Sequence, residues 1–218
     1  MATNTLIERK GARVGLLTTA GFRDLLEMRE GMKEDRYNLR MPPVEPLVPR
    51  YLRLGVPERV RWNGEVATLP GRGGSGAGAH GAGAGGVEAL AVCLLFSYLN
   101  PSHEQRIAEL IRATFPDMYL SLSHEILPQI KEFDRLSTTV VNAYVGPVFG
   151  EYLRHLKERL AMLAPLREVL IMQSNGGVAP LDDARRLAVQ AILSEPAGGV
   201  SGAAFYGQQV GPVEGHWL

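Results

Sequence analysis

A tract of glycine and alanine, Gly71 to Gly86, most strongly constrains what this chain can fold into. The tract holds nine of the chain's 25 glycines. Each glycine in a helix interior costs about 1 kcal/mol relative to alanine, so these residues are unsuited to a helix. G-x-G-x-x-G occurs three times, for example at Gly81, Gly83 and Gly86. A dinucleotide-binding loop, however, leaves a strand and opens a helix, whereas this tract follows Pro70 and leads into a strand. The composition therefore favours a flexible linker.

The rest of the composition indicates a folded chain without a nucleic-acid-binding surface. Of the 218 residues, 45% are hydrophobic, and 23 Lys and Arg balance 23 Asp and Glu. Phosphate binding needs a basic face, which this balance does not provide. The longest apolar run, Ala89 to Phe96, is too short to span a bilayer. We therefore expect a cytoplasmic protein without nucleic-acid or membrane partners.

Strand patterns alternate with helix patterns along the chain. Apolar runs predict strands at Val14 to Thr18, Val87 to Phe96, Met118 to Ser123 and Val169 to Met172. Asn100 and Pro101 open one helix, and apolar residues from Phe149 to Leu163 recur at the spacing of another. Asn63-Gly64 predicts a type I′ hairpin turn. This alternation predicts an α/β fold with a partly parallel sheet.

The residues that most often bind metals give no metal signal here. Cys93 lies in an apolar strand without an adjacent cationic residue, so we expect a buried, inert thiol. The five histidines lie far apart and have no metal-ligand spacing, and we expect most of them at the surface. They are His80, His103, His124, His155 and His216. The sequence predicts no metal site.

Three polar clusters stand at predicted element ends. Ser137, Thr138 and Thr139, followed by Asn142, lie near the start of the long helix. Gln173 to Gly177 ends a strand, where α/β sheets place their ligand crevice. Ser194 to Gly199 follows a predicted strand, Ala191 to Leu193, and precedes a helix, an arrangement suited to binding anions. Ordinary capping and turn chemistry is the alternative for each cluster.

Several long motifs in order give the chain a family resemblance. ATNTLIERKGARVGLLTT, STTVVNAYVGPV, IMQSNGGV and ILSEPAGGVSGA are motifs of this kind. Across residues 1–70 and 87–204 the chain resembles the hydantoinase A / 5-oxoprolinase family, with N-methylhydantoinase A-like subunits and related ketone carboxylase subunits. The resemblance implies part of an actin-like (ribonuclease H-like) ATPase fold, with mixed or parallel sheets and flanking helices, of which this chain is an incomplete, central fragment.

The resemblance also implies a domain division. Residues 1–136 resemble the N-terminal domain, with 71–86 as a low-complexity tract, and residues 137–204 resemble the start of the main domain. Residues 205–218 form an unmatched tail. The family has a helix where this chain has 71–86. We therefore interpret 71–86, and the tail, as shifted-frame readings of the gene.

The site implied by the resemblance binds ATP, with Mg²⁺, and a small cyclic amide. By resemblance, the family's motif positions line the cleft between the lobes. They are Thr3, Asn4, Ser137, Thr138, Thr139, Asn142, Gln173, Ser174, Asn175, Gly176, Gly177, Ser194, Gly198 and Gly199. A B-type subunit is the implied partner, and homo-oligomerisation is a further expectation. The resemblance names no catalytic residue in this chain.

Two departures from the family bear on activity. The family's two D-x-G-G-T phosphate-binding loops have no counterpart in this sequence, and the family has Gly where this chain has Glu195. A carboxylate beside nucleotide phosphates is repelled by them. We therefore expect a truncated, inactive fragment of an ATP-dependent cyclic-amide hydrolase subunit. The alternatives are a fragment of an acetone or acetophenone carboxylase subunit, or a non-catalytic remnant.

Overall fold

Short strands form a central sheet and two small antiparallel pairs. The computed structural model describes residues 1–31, 35, 37–42, 44–71, 86–163 and 168–210. The strands are β1 (Val14–Thr19), β2 (Arg53–Val56), β3 (Arg59–Val60), β4 (Val66–Thr68), β5 (Ala89–Cys93), β6 (Tyr119–Leu122), β7 (Leu170–Met172) and β8 (Val178–Pro180). The central sheet has the order β2-β1-β5-β6, and all its neighbouring strands are parallel. The predicted α/β fold is confirmed.

Helices surround this sheet. They are α1 (Ala2–Ile7), α2 (Leu25–Met28), α3 (Ser102–Thr114), α4 (Ser123–Ile126), α5 (Glu132–Leu163), α6 (Leu181–Arg186) and α7 (Ser194–Val210), with 3₁₀ turns at Arg50–Leu52 and Ala188–Ala191. The longest, α5, has 32 residues and runs through Pro147 without a break. At 1.5 Å per residue it is about 48 Å long. Among the described residues, none of the helices combines the length and apolar composition that a bilayer crossing requires.

The core lies between the sheet and its helices. Every residue of β1 and of β5 is buried. Such continuous apolar runs are typical of parallel strands covered on both faces. The long helix α5 packs against strands β1, β5 and β6 of this sheet. It contributes buried apolar side chains such as Leu136 and Val140 to the core. Burial on both faces of the sheet explains why these strands read as unbroken apolar runs.

One expected turn has a different geometry. β3 and β4 do form an antiparallel hairpin around Asn63 and Gly64. Gly64 has a φ of +84°, but Asn63 does not have a positive φ, so the turn is not type I′. The Arg61 N–H donates to the Glu65 carbonyl at 2.8 Å, which closes a three-residue loop. The glycine therefore supplies the single left-handed residue that a three-residue hairpin loop needs.

Several expectations from the sequence are not tested by this structure. Residues 72–85 of the glycine tract and 211–218 of the tail lie outside the described residues, as do His80 and His216. Residues 205–210 continue α7, and the expected division between residues 136 and 137 falls inside α5. The domain division and the shifted-frame interpretation stay predictions.

Candidate functional site

Asn142 anchors a polar cluster around one segment of the chain, residues 188–195. Its side chain is completely buried. Its Oδ1 accepts a hydrogen bond from the Val189 N–H at 2.9 Å, and its Nδ2 donates to Ser121 Oγ at 2.8 Å and to the Arg186 carbonyl at 3.0 Å. Asn142 therefore joins α5 to β6 and to the 188–195 segment, and its amide is fully used inside the protein.

The predicted Gln173 to Gly177 cluster reaches the same segment. Gln173 Nε2 donates to Gln190 Oε1 at 2.7 Å, and the Ser174 N–H donates to the Gln190 carbonyl at 2.7 Å. The expectation that this cluster ends a strand of the parallel sheet is nevertheless wrong. β7 belongs to an antiparallel pair with β8, so these residues form its hairpin turn, with Gly176 at a φ of +83°, and do not end a parallel strand.

Thr3 reaches the end of the segment from α1. Thr3 Oγ1 accepts the Leu193 N–H at 2.9 Å and donates to Glu195 Oε2 at 3.3 Å. Its neighbour Asn4 is exposed, and the Asn4 carbonyl accepts the Glu8 N–H within α1. Thr3 therefore connects the first helix of the chain to the start of the last one.

The strand expected at Ala191 to Leu193 is absent from the structure. Ala191 ends a 3₁₀ turn, and Leu193 has a φ of +58°. α7 begins at Ser194, so Gly198 and Gly199 lie inside a helix and not in a turn. The strand-turn-helix argument for an anion site is therefore wrong, and the helix that was expected after Gly199 already begins at Ser194.

The hydroxyls of the remaining cluster serve α5 itself. Ser137 Oγ donates to the Asp134 carbonyl at 3.2 Å, and Thr139 Oγ1 donates to the Arg135 carbonyl at 2.6 Å. Thr138, between them, is half-buried. Within the described chain, these hydroxyl bonds do not reach the 188–195 segment. The observed hydroxyl bonds are the local side-chain-to-backbone chemistry that was the alternative for this cluster.

Two ionisable groups near the segment have shifted pKa values. The pKa of the Glu195 carboxyl is lowered, chiefly because its own backbone N–H donates to it. Burial raises the pKa of Tyr119 to about 12. The Tyr119 hydroxyl donates to the Arg185 carbonyl at 2.7 Å and accepts from Asn142 Nδ2 at 3.3 Å. Glu195 is therefore an anion at neutral pH, and Tyr119 is a neutral donor.

A buried polar network that the sequence reasoning missed lies at the carboxyl ends of the parallel strands. Thr19, the last residue of β1, donates its hydroxyl hydrogen to Glu58 and accepts the Leu95 N–H at 3.0 Å. The other Glu58 oxygen lies 2.6 Å from His103 Nδ1. His103 is 3% exposed and is therefore not one of the surface histidines. Among the described residues, no hydrogen-bond partner reaches its Nε2.

Glu104 forms the second part of this network. Its carboxylate is completely buried and accepts the Leu94 N–H at 2.9 Å, Ser123 Oγ at 2.7 Å, and both the N–H and Nδ1 of His124 at 3.1 and 2.7 Å. His124 is mostly buried, while His155 on α5 is exposed. Because His80 and His216 lie outside the described residues, the expectation that most histidines are at the surface stays a prediction. These hydrogen bonds offset the cost of burying the carboxylate, and they join the residue that follows β5 to α4.

Cys93 confirms the expectation of a buried thiol. It is 3% exposed, and burial raises its pKa to about 11. Within the described ranges, no three His, Cys, Asp or Glu side chains come together as they would around a metal ion.

The sequence did contain a signal for the buried network of Thr19, Glu58, His103 and Glu104. It was the pair His103-Glu104, which lies in the first helical turn after a buried strand.

Comparison with known proteins gives matches along most of the chain. A family model described as the hydantoinase/oxoprolinase N-terminal region matches residues 1–115, and one described as hydantoinase/oxoprolinase matches residues 135–213. The caprolactamase subunit alpha of Pseudomonas jessenii is 42% identical over 199 residues, which are 90% of this chain and 29% of that protein.

Two solved structures have the same fold as this chain. The crystal structure of ATP-dependent caprolactamase from Pseudomonas jessenii superposes with a TM-score of 0.87 at 40% identity, covering 97% of this chain and 31% of that one. A nucleotide-free acetone carboxylase superposes with a TM-score of 0.81 at 27% identity, covering 96% and 31%. The chain thus spans about a third of the length of these relatives.

Proposed function

The chain belongs to the hydantoinase/oxoprolinase family, and from this premise we propose that it forms part of a subunit that uses ATP to open a small cyclic amide. The observation that carries the proposal is the superposition on caprolactamase, an ATP-dependent enzyme by its description, at a TM-score of 0.87 and 40% identity. Hydantoins, 5-oxoproline and caprolactam share the ring amide that such an enzyme attacks. A B-type partner subunit, Mg²⁺, a cytoplasmic location and homo-oligomerisation belong to the same proposal.

The described residues alone do not fit the phosphates of ATP. The Thr3 hydroxyl and the Leu193 N–H are already paired, and the Glu195 carboxylate stands beside them as an anion. Phosphates are instead held by cations, bound metal and free backbone N–H groups. We therefore derive no phosphoryl-transfer step for this chain, and we propose that the 218 residues alone are inactive.

The part of this chain that suits an amide ligand is the exposed turn of the β7–β8 hairpin. Asn175 Oδ1 accepts the Gly177 N–H at 2.8 Å, which orients the side-chain amide. Its Nδ2 group can then donate to a ligand carbonyl, and Gly176 and Gly177 allow close approach because they lack side chains. The bonds from Gln173 and Ser174 to Gln190 hold this turn against the 188–195 segment. We propose that this turn contributes to one wall of the substrate cleft.

ADP release tests the proposal. The purified chain is assayed alone, and again in a version lengthened at both ends to carry the two phosphate-binding loops that the family resemblance implies. Hydantoin, 5-oxoproline or caprolactam is added with a B-type subunit, and a reaction without cyclic amide is the control. We expect stimulation of ADP release by at least one cyclic amide in the lengthened protein and none in the chain alone. A lengthened protein that no cyclic amide stimulates contradicts the proposal.

Ketone carboxylation is the second candidate, because the acetone carboxylase structure superposes with a TM-score of 0.81. The same lengthened protein separates the two reactions. Stimulation of ADP release by acetone or acetophenone with bicarbonate, and not by a cyclic amide, would favour the carboxylase. The lower identity of 27%, against 40% for caprolactamase, places it second.

A further inference from the structure

An open surface pocket lies beside the first residues of β6 and is also lined by residues of α3 and α6. Its volume of about 380 Å³ is within the size range of pockets that bind small molecules. Three apolar side chains line it, those of Pro116, Met118 and Leu120. The pocket can therefore cover a short hydrocarbon chain.

Guanidinium groups reach this pocket from two helices. Arg112 comes from the last turn of α3, and Arg185 and Arg186 come from the last turn of α6. Among the described residues that line the pocket, Asp182 is the one acidic side chain. Three cations beside a single carboxylate leave a net positive charge, which attracts an anion.

The three arginines have few ionic partners within the chain. In the described ranges neither Arg112 nor Arg185 takes part in an ion pair, and Arg186 Nη2 lies 3.6 Å from Asp183 Oδ1. All three arginine side chains are exposed. Their N–H groups can therefore bind a ligand, and the planar fork of an arginine matches the two oxygens of a carboxylate.

Tyr119 holds the two arginines of α6 in place. Its hydroxyl donates to the carbonyl groups of Arg185 and Arg186 at 2.7 and 3.2 Å, and Tyr119 itself also lines the pocket. Asn142 Nδ2 donates to the same Arg186 carbonyl at 3.0 Å. The backbone that carries both guanidinium groups is thus fixed before a ligand binds, which lowers the entropic cost of binding.

We propose that this pocket binds a small organic dicarboxylate, with one carboxylate at Arg112 and the other at Arg185 and Arg186. The hydrocarbon chain between the two carboxylates lies on the apolar side chains of the pocket. None of the residues that line the pocket belongs to the β7–β8 turn or to the 188–195 segment. Dicarboxylate binding here is therefore independent of the proposed function, and either can fail without the other.

Calorimetric titration of the full chain with glutarate, at low salt and again at high salt, tests the proposal. Inorganic phosphate shows whether negative charge alone is enough for binding. Cadaverine, a chain of the same number of carbon atoms with an ammonium group at each end, is the cationic control.

Four variants accompany the titration. Arg112→Gln and Arg185→Gln each remove one positive charge from the pocket, and Asp182→Asn removes the negative charge. Arg106→Gln is the matched control, because it removes an exposed arginine of the same helix α3 that does not line the pocket. All four side chains are exposed, so the variants should remain folded, which circular dichroism checks.

We expect glutarate to bind the unaltered chain in the millimolar range, and more weakly at high salt because salt screens exposed charges. Arg112→Gln and Arg185→Gln should each weaken binding about fivefold, which corresponds to the loss of one exposed ion pair at the upper end of the usual strength. Asp182→Asn should tighten binding, and Arg106→Gln should leave it unchanged.

Absence of glutarate binding by the unaltered chain overturns the proposal, and so does equal affinity of the unaltered chain and the Arg112→Gln and Arg185→Gln variants. Phosphate binding as tight as glutarate binding also overturns it, because the apolar side chains would then contribute nothing. Cadaverine binding as tight as glutarate binding overturns it as well, because the positive charge of the pocket would then not select the ligand.

Discussion

Deleting the carboxylate of Glu104 should destabilise the chain more than deleting any exposed glutamate. Glu104 is completely buried and accepts hydrogen bonds from Leu94, Ser123 and His124. In Glu104→Ala the two backbone N–H groups and the imidazole lose their acceptor inside the core. Each buried group left unsatisfied costs about 1–3 kcal/mol. We therefore expect a loss of about 4 kcal/mol in the free energy of unfolding.

Urea unfolding followed by circular dichroism at 222 nm measures this loss. For a chain of this length, 1 kcal/mol lowers the melting temperature by about 2–4 °C, so Glu104→Ala should melt roughly 8–16 °C lower. Glu104→Gln should lie between Glu104→Ala and the unaltered chain. It keeps one acceptor oxygen, but its amide group faces an N–H donor in either orientation.

The matched control is Glu109→Ala on the same helix. Glu109 is exposed and pairs with Arg106 at 2.7 Å. An exposed pair of this kind contributes at most about 1 kcal/mol, so we expect a change within about 0.5 kcal/mol. If Glu104→Ala loses no more stability than Glu109→Ala, the buried carboxylate does not hold the ends of β5 and β6 together, and the reasoning is refuted.

Two further predictions concern Tyr119. A Cβ added at Gly146 would overlap the Tyr119 ring, so Gly146→Ala should lower the free energy of unfolding by about 1–3 kcal/mol, measured by thermal melts. The control is Gly199→Ala, which has open space in α7 and should raise the free energy of unfolding by about 0.5–1 kcal/mol. A Gly146→Ala chain as stable as the unaltered one contradicts this prediction. The raised pKa of Tyr119, about 12, means that its contribution to stability is complete below pH 10 and is lost as the pH rises to about 12. In a pH titration followed by absorbance at 295 nm, one tyrosine should ionise about 2 pH units above the ordinary value of about 10. Tyr119→Phe should remove this step. A titration in which all tyrosines ionise near pH 10 contradicts the prediction.

The central sheet could be predicted because its signal is local. Apolar runs at β1 and β5 indicate burial on both faces of the sheet whatever their neighbours are, and both strands are completely buried.

The sequence at the start of α7 contains local signals that conflict with each other. Pro196 falls in the first helical turn, where its missing N–H costs nothing, but Gly198 and Gly199 favoured a turn. Helical neighbours overrode the glycines, as tertiary context often overrides propensity.

The partners within the buried network could not be predicted, because they are distant in sequence. Glu58 and His103 are 45 residues apart, and Thr19 and Leu95 are 76 residues apart. Only the order of the strands brings the carboxyl ends of β1 and β5 together, and a single sequence does not contain that order. Bonds from Asn142 to Val189 and from Thr3 to Leu193 depend on the same kind of packing.

The two polar regions differ in what they leave for a ligand. Open α/β sheets bind ligands at the carboxyl ends of their strands. In this chain buried side chains fill that edge, since Thr19, Glu58 and Glu104 are each at most 4% exposed. The chain just before the 188–195 segment instead contacts Tyr119, the first residue of β6, through the carbonyls of Arg185 and Arg186. Ser174, Asn175 and Glu195 stay exposed. We therefore propose that a ligand cleft forms at the β7–β8 turn, where the side chains of Ser174 and Asn175 stay exposed.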